Sequence, residues 1–205
     1  MLKNKHKIID AVFALSLQNG FDNVSMKQIQ KASGLSAGTI YYHFKNKDEI
    51  LEYMIEKYLI DSLNNLKENV SNFNGSFIEK IEFIFNYKNN SFVTKNEEPP
   101  KNSTKIQFDH KDYFLLLRSM YHQHPEIRHI FYKLSDDLYE FYYELFQEAV
   151  KNKEIRDDID IRNLVIFIQT SLKGYIDLWI YQRNFSFEEL VNSNIELIRE
   201  AVKKQ

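Results

Sequence analysis

Two groups of residues in this chain have the types and spacing to do chemistry. The first is the run over residues 25–47, SMKQIQKASGLSAGTIYYHFKNK, in which cations, hydroxyls and phenols alternate with small side chains. Lys27, Thr39, Tyr41, Tyr42 and Lys47 are groups that donate to phosphate oxygens or read base edges. The second is a set of imidazoles, His110, His122, His124 and His129, lying among Asp109, Asp112 and Glu126. Imidazole and carboxylate are good metal ligands. The spacing argues against a metal centre, because Glu126 with His129 is the only Glu-x-x-His and a di-iron bundle needs two such pairs. Surface histidines beside Pro125 are the plainer expectation. The chain has no Cys, no phosphate-cradling Gly-rich loop and no recognisable Ser/His/Asp arrangement, so neither enzymatic chemistry nor a cofactor or metal is expected.

The elements that must position the first group are helices. Only five Gly and three Pro occur in 205 residues, 43% of them hydrophobic, and apolar positions recur at three and four almost throughout. The expectation is an all-α fold. A first helix fits residues 4–18, with Ile8, Ile9, Val12, Phe13 and Leu17 on one face, and Gly20 supplies its left-handed end. At Ser25 the start signals coincide: Ser25 with Gln28 spells a capping box, and Val24 with Ile29 is spaced as a hydrophobic staple. That helix ends near Ser33, since Gly34 suits a tight turn and Ser36 can cap the next helix. Asn46 with Glu49 repeats the capping pattern and opens a long fourth helix, with Ile50, Leu51, Met54, Ile55, Tyr58, Leu59 and Leu63 facing inward. After a break over residues 71–76, helices fit residues 77–87, 109–121, 125–153, 160–182 and 187–203. Residues 89–103 form the longest loop, Pro125 sits in a first turn, and Ser186 with Glu189 makes another capping box.

Residues 25–47 therefore have the layout of a helix-turn-helix: one helix to cross the phosphate backbone, a Gly-containing turn, and a second helix to enter the major groove by its N-terminal residues. Ala32 is small where the helices cross. Ile29, Leu35 and Ile40 supply the apolar contacts, and Ala37, Gly38 and Thr39 keep the leading edge slim enough to approach bases. Of the aromatic cluster Tyr41, Tyr42, His43, Phe44, the phenols can reach phosphate and Phe44 reads as packing; packing is the alternative for all four. Lys47 stands in the first turn of a helix, where a cation opposes the macrodipole, a placement that a nearby phosphate would explain. Lys27, close to a helix N-terminus, could clamp backbone there.

From residue 1 to about residue 60 the chain resembles the TetR family of bacterial repressors. The resemblance is carried by Gly20 and Phe21, by residues 25–29, by Ala32 and Gly34, by SAGTIYYHF over residues 36–44 and by KNKDEIL over residues 45–51. It implies a homodimer that binds a roughly palindromic operator in double-stranded DNA and lets go when a small-molecule effector occupies its C-terminal domain. By the family's pattern, DNA contacts fall on Lys27, Ser36, Ala37, Thr39, Tyr41, Tyr42, His43 and Lys47. Residues 70–205 match the family in helix layout alone.

Charge supports the division into a DNA-binding domain over residues 1–47 and a ligand-binding and dimerisation domain over residues 48–205. The first holds seven Lys against Asp10 and Asp22, a net +5, and the second 20 basic against 27 acidic side chains, a net -7. Whatever binds a polyanion is confined to the first quarter of the chain. Of 30 aromatics, 25 follow Lys47, and a pocket that takes a small hydrophobic or aromatic effector is expected among Phe83, Tyr87, Phe114, Tyr121, Tyr139, Tyr142, Phe146, Phe167, Tyr175 and Trp179. The helix over residues 160–182 is apolar nearly all round, with Thr170, Ser171 and Gly174 small enough for a close crossing. With the stripe Phe187, Leu190, Val191, Ile195, Ile198 and Val202 it is expected to form a two-fold dimer bundle, the alternative being that both stripes are intramolecular core. No signal peptide opens the sequence and no apolar run approaches membrane-spanning length, so no membrane partner and a cytoplasmic location are expected. Two rival functions are a metal-carboxylate bundle enzyme and a protein whose basic head binds some other polyanion.

Overall fold

The computed structural model describes residues 2–90 and 110–204, and every regular element among them is helical. In chain order these are α1 (Leu2–Asn19), a 3-10 turn (Phe21–Asn23), α2 (Met26–Ser33), α3 (Ala37–His43), α4 (Lys47–Ile55), a π turn (Glu56–Ile60) and α5 (Asp61–Asn72). They continue as α6 (Phe77–Asn90), α7 (His110–Gln123), a 3-10 turn (Pro125–Ile127), α8 (Arg128–Lys151), α9 (Ile161–Tyr181) and α10 (Phe187–Val202). Most boundaries lie within a few residues of the expected ones. The long fourth helix is not uniform: it widens into a π turn over Glu56–Ile60 before continuing as α5. Pro125 opens a 3-10 turn, not the α-helix itself, because its missing N–H suits a tight first turn. The expected loop over residues 89–103 lies outside the described residues from residue 91 onward, as do Asp109 and the side chain of His110.

Two compact units divide the chain: Met1–Ser62 with Lys95–Lys133, and Leu63–Thr94 with Leu134–Gln205. The unit that carries the head thus runs past residue 47 and takes in α7. Its core is a set of β-branched and long apolar side chains at helical spacing: Ile8, Ile9 and Val12 of α1, Ile29 of α2, Ile40 of α3, and Ile50, Leu51 and Met54 of α4, all fully buried. On α1 the buried face closes on Ser16, with Leu17 left half-buried, since residue 16 continues the stripe one turn beyond Val12 and Phe13. Tyr58 stacks on Phe13, ring centroids 3.7 Å apart, and Tyr113 of α7 meets Phe13 edge-on. Each such side chain removed from water contributes about 1.5–3 kcal/mol before entropy is set against it.

The second unit buries Leu66 and Val70 of α5, Phe77, Ile81, Ile84 and Phe85 of α6, Tyr142 and Phe146 of α8, and the inner stripes of α9 and α10. Two polar ties cross it: Tyr175 donates its hydroxyl to the Phe85 carbonyl at 2.8 Å, and the Phe77 amide donates to Glu154 Oε2 at 2.6 Å. Among the described residues no helix is long and apolar enough to cross a membrane, and no cluster of His, Asp and Glu has the arrangement to hold a metal ion.

Candidate DNA interface

The helix-turn-helix is assembled by its own short-range chemistry. Ser25 Oγ accepts from the Gln28 amide at 3.3 Å while Gln28 Oε1 accepts from the Ser25 amide at 2.8 Å, the reciprocal pair that fixes where α2 starts. Val24 and Ile29 are both buried, as a staple requires. Gly34 then takes φ 68°, a left-handed value disfavoured for any side chain, and its amide donates to the Gln30 carbonyl at 3.0 Å. The Leu35 amide donates to Ser33 Oγ, which carries the chain round to Ser36. Ser36 Oγ accepts from the Thr39 amide at 3.2 Å, capping α3.

On this frame the expected DNA-contacting residues separate into two groups. Lys27, Ser36, Tyr41 and Tyr42 are exposed, whereas Ala37, Thr39, His43 and Lys47 are half-buried. Tyr41 and Tyr42 keep 54% and 68% of their surface in solvent, so the packing alternative fails for both phenols, and Phe44 is the buried member of the cluster. The Tyr42 and His43 rings meet edge-on at 5.2 Å. Gly38 is exposed, and a Cβ there would have only Ser36 Oγ nearby, at 4.0 Å, so the leading edge of α3 is open. The Thr39 hydroxyl lies 2.9 Å from Ser36 Oγ, which gives it a partner within the protein.

Lys47 also has internal partners. Its Nζ donates to the Asp22 carbonyl at 2.9 Å and stands 4.5 Å from the Phe21 ring centroid. Partial burial pushes its pKa down, opposed by Asp22 and Asp48. At the same join the Asn46 side chain caps α4 by accepting from the Glu49 amide at 2.9 Å, but the Glu49 carboxylate does not return to Asn46 as a standard box would. It accepts from the Lys45 amide, one residue further back, at 2.8 Å. Lys5 of α1, a residue with no motif to flag it, lies over the Tyr53 ring at 3.7 Å and so covers the end of the aromatic cluster.

The ten aromatics expected to line a pocket are divided between the two units. Phe114 and Tyr121 belong to the unit with the head, and the other eight to the second unit. Tyr121 is partly exposed, with its hydroxyl 3.3 Å from that of Tyr132. In the second unit Tyr142, Phe146 and Tyr175 are core residues: Tyr142 packs on Phe146, Tyr175 packs on Phe85 and Phe187, and burial pushes both phenols well above the usual tyrosine range. Phe83 with Tyr87, Tyr139 with Tyr143, and Trp179 with Phe187 form half-buried pairs, and Phe167 is exposed on α9. Two open recesses, one of about 360 Å³ beside Ala11, Ala14 and Ala32 and one of about 500 Å³ beside Lys153 and Arg156, include none of the ten. Of the histidines, His122 and His129 are exposed, but His124 is not: its side chain keeps only 13% of its surface, so the surface reading fails for it.

The model of bacterial regulatory proteins of the tetR family matches residues 8–54, the span from the core of α1 to the buried turn of α4. An HTH-type transcriptional regulator of Staphylococcus aureus is 23% identical over 98% of this chain and 96% of its own length. A fatty acid metabolism regulator of Bacillus subtilis is 22% identical over 94% of this chain and 92% of its own. Among solved structures, a transcriptional regulator of Saccharomonospora viridis in complex with choline superposes with a TM-score of 0.76 at 15% identity, with all of both chains covered, which shows a shared fold. Residues 8–54 thus carry the DNA-binding head of the tetR family of bacterial regulatory proteins, and the chain is similar to transcriptional regulators over nearly its whole length.

Proposed function

We propose that the protein is a homodimeric repressor whose two heads bind successive major grooves about 35 Å apart and which a small hydrophobic or aromatic ligand releases from its operator. The observation that carries this reading is the leading edge of α3: a capped helix start at Ser36, small residues at 37 and 38, and exposed phenols at 41 and 42. Tyr41, Tyr42, Ser36 and Lys27 meet phosphate and fix register, and Thr39 with Ala37 faces base edges. His43 and Lys47 complete the contact at its rim. The half-buried aromatics of the second unit, Phe83, Tyr87, Tyr139 and Trp179, supply rings that a ligand can displace, and rings of this kind suit apolar, aromatic or cationic groups. The naming of one relative as a fatty acid metabolism regulator supports an apolar effector.

Dimerisation runs through the outer faces of α9 and α10, because Leu190, Val191, Ile195, Ile198 and Val202 of the expected stripe are core within one protomer. Ile166, Phe167, Leu178 and Tyr181 stand exposed at helical spacing along α9, and Leu197 stands exposed on α10. A stripe of this size is costly to leave in water and fits an isologous contact with a second copy.

The deciding experiment titrates the purified protein against its own upstream DNA and against random duplex, across salt, with and without long-chain acyl ligands. A specific complex persists at salt concentrations where the random one melts, and ligand shifts the former. Equal affinity for both duplexes would instead support the general polyanion binder.

A further inference from the structure

Lys47 is held by two residues, and a histidine distant in sequence holds the same two. The turn between α7 and α8 places His124 against the 3-10 turn Phe21–Asn23, with its ring edge-on to Phe21 at 5.5 Å and 83°. Its Nδ1 lies 2.9 Å from Glu126 Oε1, and its Nε2 lies 3.2 Å from Asp22 Oδ1. The Nε2 atom is buried and has no hydrogen-bond partner, and the Asp22 carboxylate beside it forms an ion pair only with a protonated ring. Asp22 gives its carboxylate to His124 and its backbone carbonyl to Lys47, while the buried Phe21 ring touches both side chains. His124 makes these contacts with only 13% of its side chain in solvent, where a polar group without partners is disfavoured and the nearness of Asp22 matters most.

We propose that His124 is a positioning residue for DNA binding: through Asp22 and Phe21 it fixes the mount on which the Lys47 ammonium is presented. The inference rests on the reading above that Lys47 meets a phosphate. Lys47 starts a helix, where the macrodipole repels a cation, so its placement depends on the Asp22 carbonyl and the Phe21 face that oppose that repulsion. Loss of the His124 contact frees the mount, and the ammonium moves with it. A shift of the α7–α8 turn is therefore felt at Lys47 without any change in α3.

The test uses the full chain, titrated with its upstream DNA, as His124→Ala, His124→Gln, Lys47→Ala and the double variant His124→Ala with Lys47→Ala. Amide exchange at residues 21–24 is followed in the DNA-free protein. His124→Ala is expected to weaken operator binding roughly 5- to 20-fold, the scale of one lost polar contact, and to speed exchange at residues 21–24. Gln keeps a polar amide but neither the ring that meets Phe21 nor a charge for Asp22, and should restore only a small part of either. The double variant should bind no more weakly than Lys47→Ala alone, because His124 acts through Lys47. Losses that multiply in the double variant would overturn the proposal, as would unchanged exchange at residues 21–24 in His124→Ala. If the wild type bound all duplexes alike, the DNA reading would fall, and the exchange result would still decide whether His124 holds the mount.

Discussion

The Tyr58 hydroxyl donates to Asp10 Oδ1 at 2.9 Å, and the neighbouring Lys57 reaches the same oxygen at 2.7 Å. Two consecutive residues of a regular helix diverge too far to share one acceptor atom easily. The π turn at Glu56–Ile60 advances less per residue and brings both side chains round to α1. Burial, reinforced by Asp10, pushes the Tyr58 phenol far above the usual range, so it remains a donor at any working pH. Asp10→Ala would strand a half-buried ammonium and a hydroxyl, at a cost of about 2–3 kcal/mol. The expected outcome is a lower urea midpoint with an unchanged slope, and Asp10→Asn should recover part of the loss. A midpoint equal to that of the wild type would show that water replaces the carboxylate freely.

The head surface predicts two kinds of DNA phenotype. Tyr42 is exposed enough that Tyr42→Ala should leave the melting temperature unchanged while weakening binding to operator and random duplex by similar factors. Lys27→Ala should act the same way and lower the magnitude of the log-affinity salt slope by about one. Thr39 variants should instead redistribute affinity among operator variants. Because the Thr39 hydroxyl lies beside Ser36 Oγ, Thr39→Val, which keeps the shape but not that partner, separates base reading from helix capping. Competition titrations against a panel of single-base substitutions make the distinction, and a uniform loss for Thr39→Val would move this residue into the phosphate group.

The sequence made the head readable because its decisive interactions join residues three or four apart. Ser25 with Gln28, Ser36 with Thr39 and Ser186 with Glu189 are all local, and each forms as spelled. The same rule also covered a signal that went unread: Ser76 and Glu79 form a reciprocal cap at the start of α6, with the Ser76 amide 2.7 Å from Glu79 Oε2. What the sequence did not disclose depends on long-range packing. No local pattern joins His124 to Asp22, Lys5 to Tyr53 or Tyr175 to Phe85. The aromatic surplus after Lys47 was visible in composition, but a side chain's share of core or pocket is decided by which helices face it. Tyr142 and Phe167 have the same sequence signature and opposite burial.

Acid should act on the carboxylates that close these caps. Hydrogen bonds from the Ser186 backbone and side chain hold the Glu189 carboxyl below the usual range, and those from the Ser76 side chain and backbone do the same for Glu79. A carboxyl with a depressed folded-state pKa contributes stability that is fully present above its unfolded value, about 4.3 for glutamate, and that is lost as pH falls through the lower folded value. Thermal melts from pH 7 to pH 3 should therefore stay level in this respect until about pH 5 and then decline. Glu189→Gln should melt lower at pH 7 and lose less than the wild type on acidification. Parallel curves for the two proteins would show that the cap is already open at neutral pH.

The proposed dimer surface can be tested at a position where the protomer itself has no objection. Gly174 lies on the outer face of α9 between the exposed Thr170 and Leu178, and a Cβ placed there meets no heavy atom within 4 Å. Within one protomer, Gly174→Ala should therefore be stabilising, by about 1 kcal/mol, since alanine is the better helix former. A second copy crossing closely at this point would reject a larger group. Gly174→Leu is expected to fold with an unaltered helical spectrum and to shift the protein from dimer to monomer in light scattering, with specific DNA binding lost in parallel because each half-site then stands alone. Leu197→Asp, at a side chain 66% exposed on α10, should do the same through charge instead of bulk. If both variants remained dimeric and bound operator normally, the contact between copies would lie elsewhere, and the exposed stripe on α9 would be left without a role in assembly.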